Sequence, residues 1–166
     1  MNKTRLAVVV VLSQIIQATF LSRLHIFGAT PNLNIALTLI LALFYGPIWG
    51  RYTGLGLGLL EDIMFAPVLG VKALIYFLIG HGVGRAMKNN AAHLPTGIAL
   101  TFLATFFSWF VTALICLVIR LPFSGLAYWR GPLFVEGLLN SILYLLGLFI
   151  LGRLIPPHPV RKFTGL

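Results

Sequence analysis

Glu61, Asp62 and Glu136 are the three acidic residues of the chain, and each sits in a stretch that is otherwise apolar. A carboxylate carried into a bilayer costs about 2.5–3.5 kcal/mol unless it finds a partner or water, so such groups either pair with one another or line a functional path. At a rise of about 1.5 Å per residue, Glu61 and Asp62 fall about one turn below the outer end of their segment. Lys72 comes at similar depth on the next segment. The tight Ala66, Pro67, Val68 connection makes these two segments antiparallel neighbours, so Lys72 can neutralise one of the acids. Glu136 lies at a comparable depth, and Arg120 and Arg130 can reach inward from their loop. Glu61, Asp62, Lys72 and Glu136 are therefore the expected internal polar cluster. Such a cluster can act as fold-specifying ion pairing or as the lining of a cavity or conformational switch.

Other chemistry finds little support in the sequence. It contains no phosphate-binding G-x-x-x-x-G-K-S/T loop, no H-E-x-x-H and no G-x-S-x-G, so catalysis is not expected. His25, His81, His93 and His158 are scattered without ligand spacing, and no metal site or cofactor is expected. Cys116, the single cysteine, falls within an apolar segment and reads as a small packed or lipid-facing side chain. Of Trp49, Trp109 and Trp129, two fall near expected membrane interfaces.

The elements that must position the cluster follow from spacing. Gly50, Gly54, Gly58 and Asp62 recur every four residues, which puts them on one face of a helix. Gly80 and Gly84 repeat that interval on the following segment. In a membrane, small residues let helix backbones approach closely, so Gly50, Gly54 and Gly58 define either an internal packing face or a dock for a partner helix. Glu136, Asn140 and Tyr144 form a second stripe, suited to hydrogen bonding across a bundle.

The composition names the solvent. Hydrophobic residues make up 59% of the 166 and charged residues 9%, with mean hydropathy +0.99, against about one quarter charged in a soluble domain. A spanning helix needs roughly 20 apolar residues. The chain accommodates about six, at approximately 5–22, 32–50, 52–66, 69–87, 96–119 and 132–155. The fold class is therefore all-α, a single polytopic transmembrane helix bundle. The third segment, short, Gly-rich and acidic, is read as a span and not as a re-entrant piece.

Lys3, Arg5 and the apolar run Val8 to Leu12 resemble the start of a signal peptide. However, no A-x-A-like site follows, and Ser13, Gln14 and Gln17 suit a retained helix with one polar side turned to its neighbours. Connections are short, at His25 to Pro31, Asn89 to Pro95 and Leu121 to Gly131. Pro156, Pro157 and Pro159 end the last helix, leaving residues 156–166 as an extended tail. With the N-terminus in the cytoplasm, Lys3, Arg5, Arg51, Arg85, Lys88, Arg153, Arg161 and Lys162 lie inside. Arg23, Lys72, Arg120 and Arg130 lie outside. The positive-inside rule thus favours N-in, C-in. The net charge of +9 then reflects topology and attraction to anionic lipid headgroups, and nucleic-acid binding is not expected.

The run Gly54-Leu-Gly-Leu-Gly-Leu-Leu-Glu-Asp62, followed by Gly70-Val-Lys-Ala-Leu-Ile-Tyr76 and Gly80-His-Gly-Val-Gly84, resembles the rod shape-determining MreD family. Pro31-Asn-Leu33 and the overall length agree with it, whereas Lys72 stands where that family is expected to have an uncharged polar residue. The resemblance implies a non-enzymatic subunit of the cell-elongation complex in the bacterial inner membrane. It would associate with MreC and, through it, with MreB filaments, RodA and penicillin-binding protein 2. It also implies a fold like the substrate-binding S component of energy-coupling factor transporters, so a vitamin-binding transporter subunit is the alternative expectation.

Overall fold

The computed structural model describes residues 3–66, 68–87, 93–120 and 131–154. Pro67, Lys88, Asn89, Trp129, Arg130 and the tail, with His158, Arg161, Lys162 and its three prolines, lie outside the described residues. Six helices account for most of the rest: α1 (Lys3–Thr19), α2 (Leu33–Tyr45), α3 (Pro47–Phe65), α4 (Val71–Ala86), α5 (Leu94–Val118) and α6 (Pro132–Leu154). A 3-10 turn, Leu21–Arg23, follows α1.

α2 is the axis of the bundle and packs against all five other helices. It is apolar but for Asn34 and Thr38, and every residue from Asn34 to Phe44 is buried, which is how a helix so largely apolar must be placed. Its start is fixed by Asn32, whose side-chain oxygen accepts hydrogen bonds from the backbone of Asn34 (2.9 Å) and Ile35 (3.3 Å), satisfying donors that a helix leaves unpaired at its N-terminus. Its end falls at Gly46, where φ is +85°, because Pro47 lacks an amide hydrogen and opens α3 at the first helical position.

The expected segments 32–50 and 52–66 are corrected accordingly. The break comes at Gly46 and not near Arg51, so Gly50 belongs to α3. At 13 residues, α2 is about 20 Å long, shorter than the roughly 30 Å hydrocarbon layer. Its neighbours, not lipid, enclose it.

α3 and α4 form the tightest pair, an antiparallel hairpin whose partners run in opposite order. A Cβ at Gly50 would fall 2.6 Å from the Gly80 carbonyl oxygen, and one at Gly58 would fall 2.6 Å from the Ala73 backbone. At Gly54 it would collide with the Tyr76 carbonyl, and at Gly84 it would fall 2.6 Å from the Pro47 backbone. α5 and α6 pair separately through the rings of Phe102, Phe106 and Phe134.

Polarity is distributed inside out. Gln14, Gln17, Asn34, Glu61, Asp62, Thr105 and Asn140 are buried, while Val11, Ile15, Leu103, Phe110, Leu117, Ile142 and Phe149 are exposed. Among the described residues, three helical stretches, Leu6–Arg23, Leu94–Val118 and Pro132–Leu151, are long and apolar enough to cross a membrane. A bundle that hides its amides and carboxylates while exposing leucine and phenylalanine belongs in lipid.

Candidate functional site

Glu61 reaches inward from the C-terminal part of α3 and is the hub of the polar cluster. One carboxylate oxygen accepts from the Asn32 side-chain amide at 3.0 Å, and the other accepts from the Asn34 amide and the Tyr76 hydroxyl, each at 2.7 Å. The Asn32 amide also donates to the Tyr76 hydroxyl at 2.7 Å. Three donors on a single carboxylate satisfy acceptor oxygens that burial would otherwise leave without partners. Lys72 Nζ lies 3.8 Å from Glu61, with 29% of its side chain exposed against 10% for Glu61. This is an ion pair at long range, secondary to the three hydrogen bonds. It meets the expectation that Lys72 answers one acid and identifies which.

Asp62, the adjacent residue, does something else. Fully buried, its carboxylate accepts from the backbone N–H groups of Gly70 (2.9 Å), Lys72 (3.1 Å) and Ala73 (3.1 Å). These amides begin α4, so an anion from α3 caps a helix N-terminus and its dipole. Within the expected four-residue cluster the two acids thus have different partners, because consecutive residues on a helix diverge by about 100°. Glu61 faces the bundle interior, and Asp62 faces the α3–α4 turn.

Two amide systems tie the hub to the remaining helices. From α1, the Gln14 side chain donates to the Asn34 side chain and to the Leu57 carbonyl, both at 3.2 Å. Gln17 bridges the chain before α2, donating to the Pro31 carbonyl at 3.2 Å and accepting from Leu33 N–H at 2.8 Å. The polar side expected of the first helix is thus turned into the bundle. From α6, Asn140 accepts from Asn32 N–H at 2.6 Å and donates to Thr105 on α5 at 3.0 Å. The expected stripe Glu136, Asn140, Tyr144 divides in use. Asn140 joins the network, and Tyr144 is buried against Gly97.

Above the hub lies a chamber of about 450 Å³, walled by Glu61, Lys72, Glu136, Asn32, Gln17 and Trp109, with the hydroxyls of Thr105, Ser108 and Thr112 along α5. Beside it, between the α3–α4 turn and α5, is an apolar recess of about 200 Å³ that shares Glu61, Phe65, Lys72 and Thr112 and includes Cys116. Three charged residues expected together from the sequence thus meet in one cavity. Arg120 is exposed at the end of α5, and Trp109 lines the chamber.

Asn34 and Tyr76 are central to the site and were not legible as such in the sequence. The available signals were modest: two asparagines opening a long apolar run, and a tyrosine on the small-residue face between Ala73 and Gly80. Among the described residues no group of three or more histidine, cysteine or acidic side chains is placed to hold a metal ion.

The fold and site together define an α-helical membrane protein built around a polar chamber. Compared with known proteins, the chain matches no family model, no curated protein and no solved structure.

Proposed function

We propose that the chain is a non-enzymatic, multi-pass subunit of the bacterial cell-elongation complex in the inner membrane. In this reading both termini are cytoplasmic, MreC is the direct partner, and MreB, RodA and penicillin-binding protein 2 are reached through it. The observation that carries the reading is the convergence of the residues behind the MreD resemblance. Gly54, Gly58, Asp62, Gly70, Tyr76, Gly80 and Gly84 build a single unit, the glycine-packed and Asp62-capped α3–α4 hairpin that presents Glu61 to Asn32. A motif whose members cooperate physically is better support than the same letters dispersed over a fold.

Such a subunit acts by holding a partner's membrane or juxtamembrane segment. The face carrying Gly50, Gly54 and Gly58 is filled by α4 and cannot also serve as the dock. The chamber at the outer ends of the helices is polar enough to receive a segment leaving the bilayer. The test is to purify the tagged chain from its host's membranes in mild detergent, identify the proteins carried with it, and measure cell shape after depletion. MreC is expected in the eluate, and depleted cells are expected to round up. Unchanged shape together with no elongation protein recovered would refute the assignment.

One observation favours a second reading, a solute-binding transporter subunit with an S-component fold. The 450 Å³ chamber combines several convergent polar groups with an adjoining apolar recess, the mixture found in small-molecule sites. Recovery of coupling and ATPase subunits, or of a bound vitamin, in the same purification would decide for it.

A further inference from the structure

α4 and α5 leave an apolar groove of about 400 Å³ between them, bordered by Leu78, Gly82 and Ala86 on α4 and by Leu100, Leu103 and Phe107 on α5. Gly82 opens it: a Cβ there would meet nothing within 4 Å, whereas Gly80, two residues away, is pressed against the Gly50 backbone. Leu78, Leu103 and Phe107 are exposed, so in a bilayer the groove faces acyl chains. Arg85, exposed in the last turn of α4, follows Leu78 by seven residues. Two helical turns place it on the same side of α4, at the end of the groove.

We propose that this groove and Arg85 form a site for an anionic phospholipid, with one acyl chain lying over Gly82 and the phosphate held by the guanidinium. The charge pattern carries the choice of occupant. A lipid-facing apolar trough that ends in an arginine at membrane-interface depth matches a chain that ends in a phosphate, and guanidinium engages phosphate oxygens in bidentate fashion. Assignment to the inner leaflet rests on the N-in, C-in orientation proposed above; the site itself does not.

The test is native mass spectrometry of the full chain in mild detergent, with equimolar phosphatidylglycerol and phosphatidylethanolamine of matched acyl chains. Wild-type protein is expected to retain phosphatidylglycerol preferentially. Arg85→Gln should lower that preference about fivefold, the equivalent of one interfacial basic residue. Gly82→Leu, which fills the trough, should remove retention of both lipids, and Ala86→Leu serves as a second filling variant should the first misfold. Arg120→Gln, at the opposite end of the bundle, should change nothing. An equal loss in Arg120→Gln would reduce the effect to general surface charge and overturn the proposal. Lipid retention unaffected by either filling variant would also overturn it, leaving the groove to another occupant such as a partner helix. Because the measurement is made in detergent without partners, its failure would leave the cell-elongation reading standing.

Discussion

Replacing Asp62 by asparagine should loosen α4 from its N-terminus, by an amount that can be worked from three hydrogen bonds. The carboxylate accepts from Gly70 and Ala73 through one oxygen and from Lys72 through the other. Asparagine keeps the shape and one acceptor. Oriented to preserve the Gly70 and Ala73 bonds, it points its amide nitrogen at the Lys72 N–H and leaves that donor unmet, at about 1–3 kcal/mol. Loss of the negative charge at the positive end of the α4 dipole adds about 1 kcal/mol in so buried a setting. The sum is about 2–4 kcal/mol, which on the scale for domains of this size lowers the melting temperature by about 10 °C. Thermal unfolding of the purified protein in detergent reads the loss, and hydrogen exchange localises it to the amides of Gly70, Lys72 and Ala73. An unchanged melting temperature with unchanged protection of those three amides would refute the capping role. A variant of full stability that failed to support elongation would move Asp62 from the frame of the protein to its working surface.

Gly54→Ala and Gly56→Ala should part in opposite directions in the same unfolding assay. The first drives a Cβ into the Tyr76 carbonyl and should cost about 1–3 kcal/mol. The second meets open space and should stabilise by about 0.5–1 kcal/mol through the better helix propensity of alanine; equal effects would contradict the packing described. Within the hub, Tyr76→Phe should cost about 1–3 kcal/mol, because it takes a donor from buried Glu61 and an acceptor from Asn32. Lys72→Met should change stability by less than about 1 kcal/mol, given the 3.8 Å separation and partial exposure of the amine. A larger loss for Lys72→Met would make the ion pair, not the hydrogen bonds, the support of Glu61.

The membrane setting was legible in the sequence because it is a bulk property. Apolar segments of spanning length and only three acids leave few other habitats, and spacing by four fixes which glycines share a face whatever that face meets. The meeting of Glu61, Lys72 and Glu136 in one chamber could be expected as well, because depth in a bilayer is set by distance from a helix end, a quantity the sequence counts directly. The boundary between α2 and α3 was misplaced for a local reason. Gly46 and Pro47 interrupt the helix, a turn signal that the apolar stretches on either side of it, residues 35–44 and 48–49, outweighed.

The tertiary structure alone decided what the small-residue face touches, since a row of glycines is equally fit for α4 or for a foreign helix. It also separated Glu61 from Asp62. The pair is adjacent in sequence, but the rotation of about 100° per residue turns one carboxylate to the asparagines and tyrosine of the hub and the other to three backbone amides of α4. Asn32, Asn34, Tyr76 and Asn140 were hidden in the sequence for the same reason. Hydrogen-bond partners 15 to 108 residues apart are chosen by packing around α2, and local spacing carries no record of that choice.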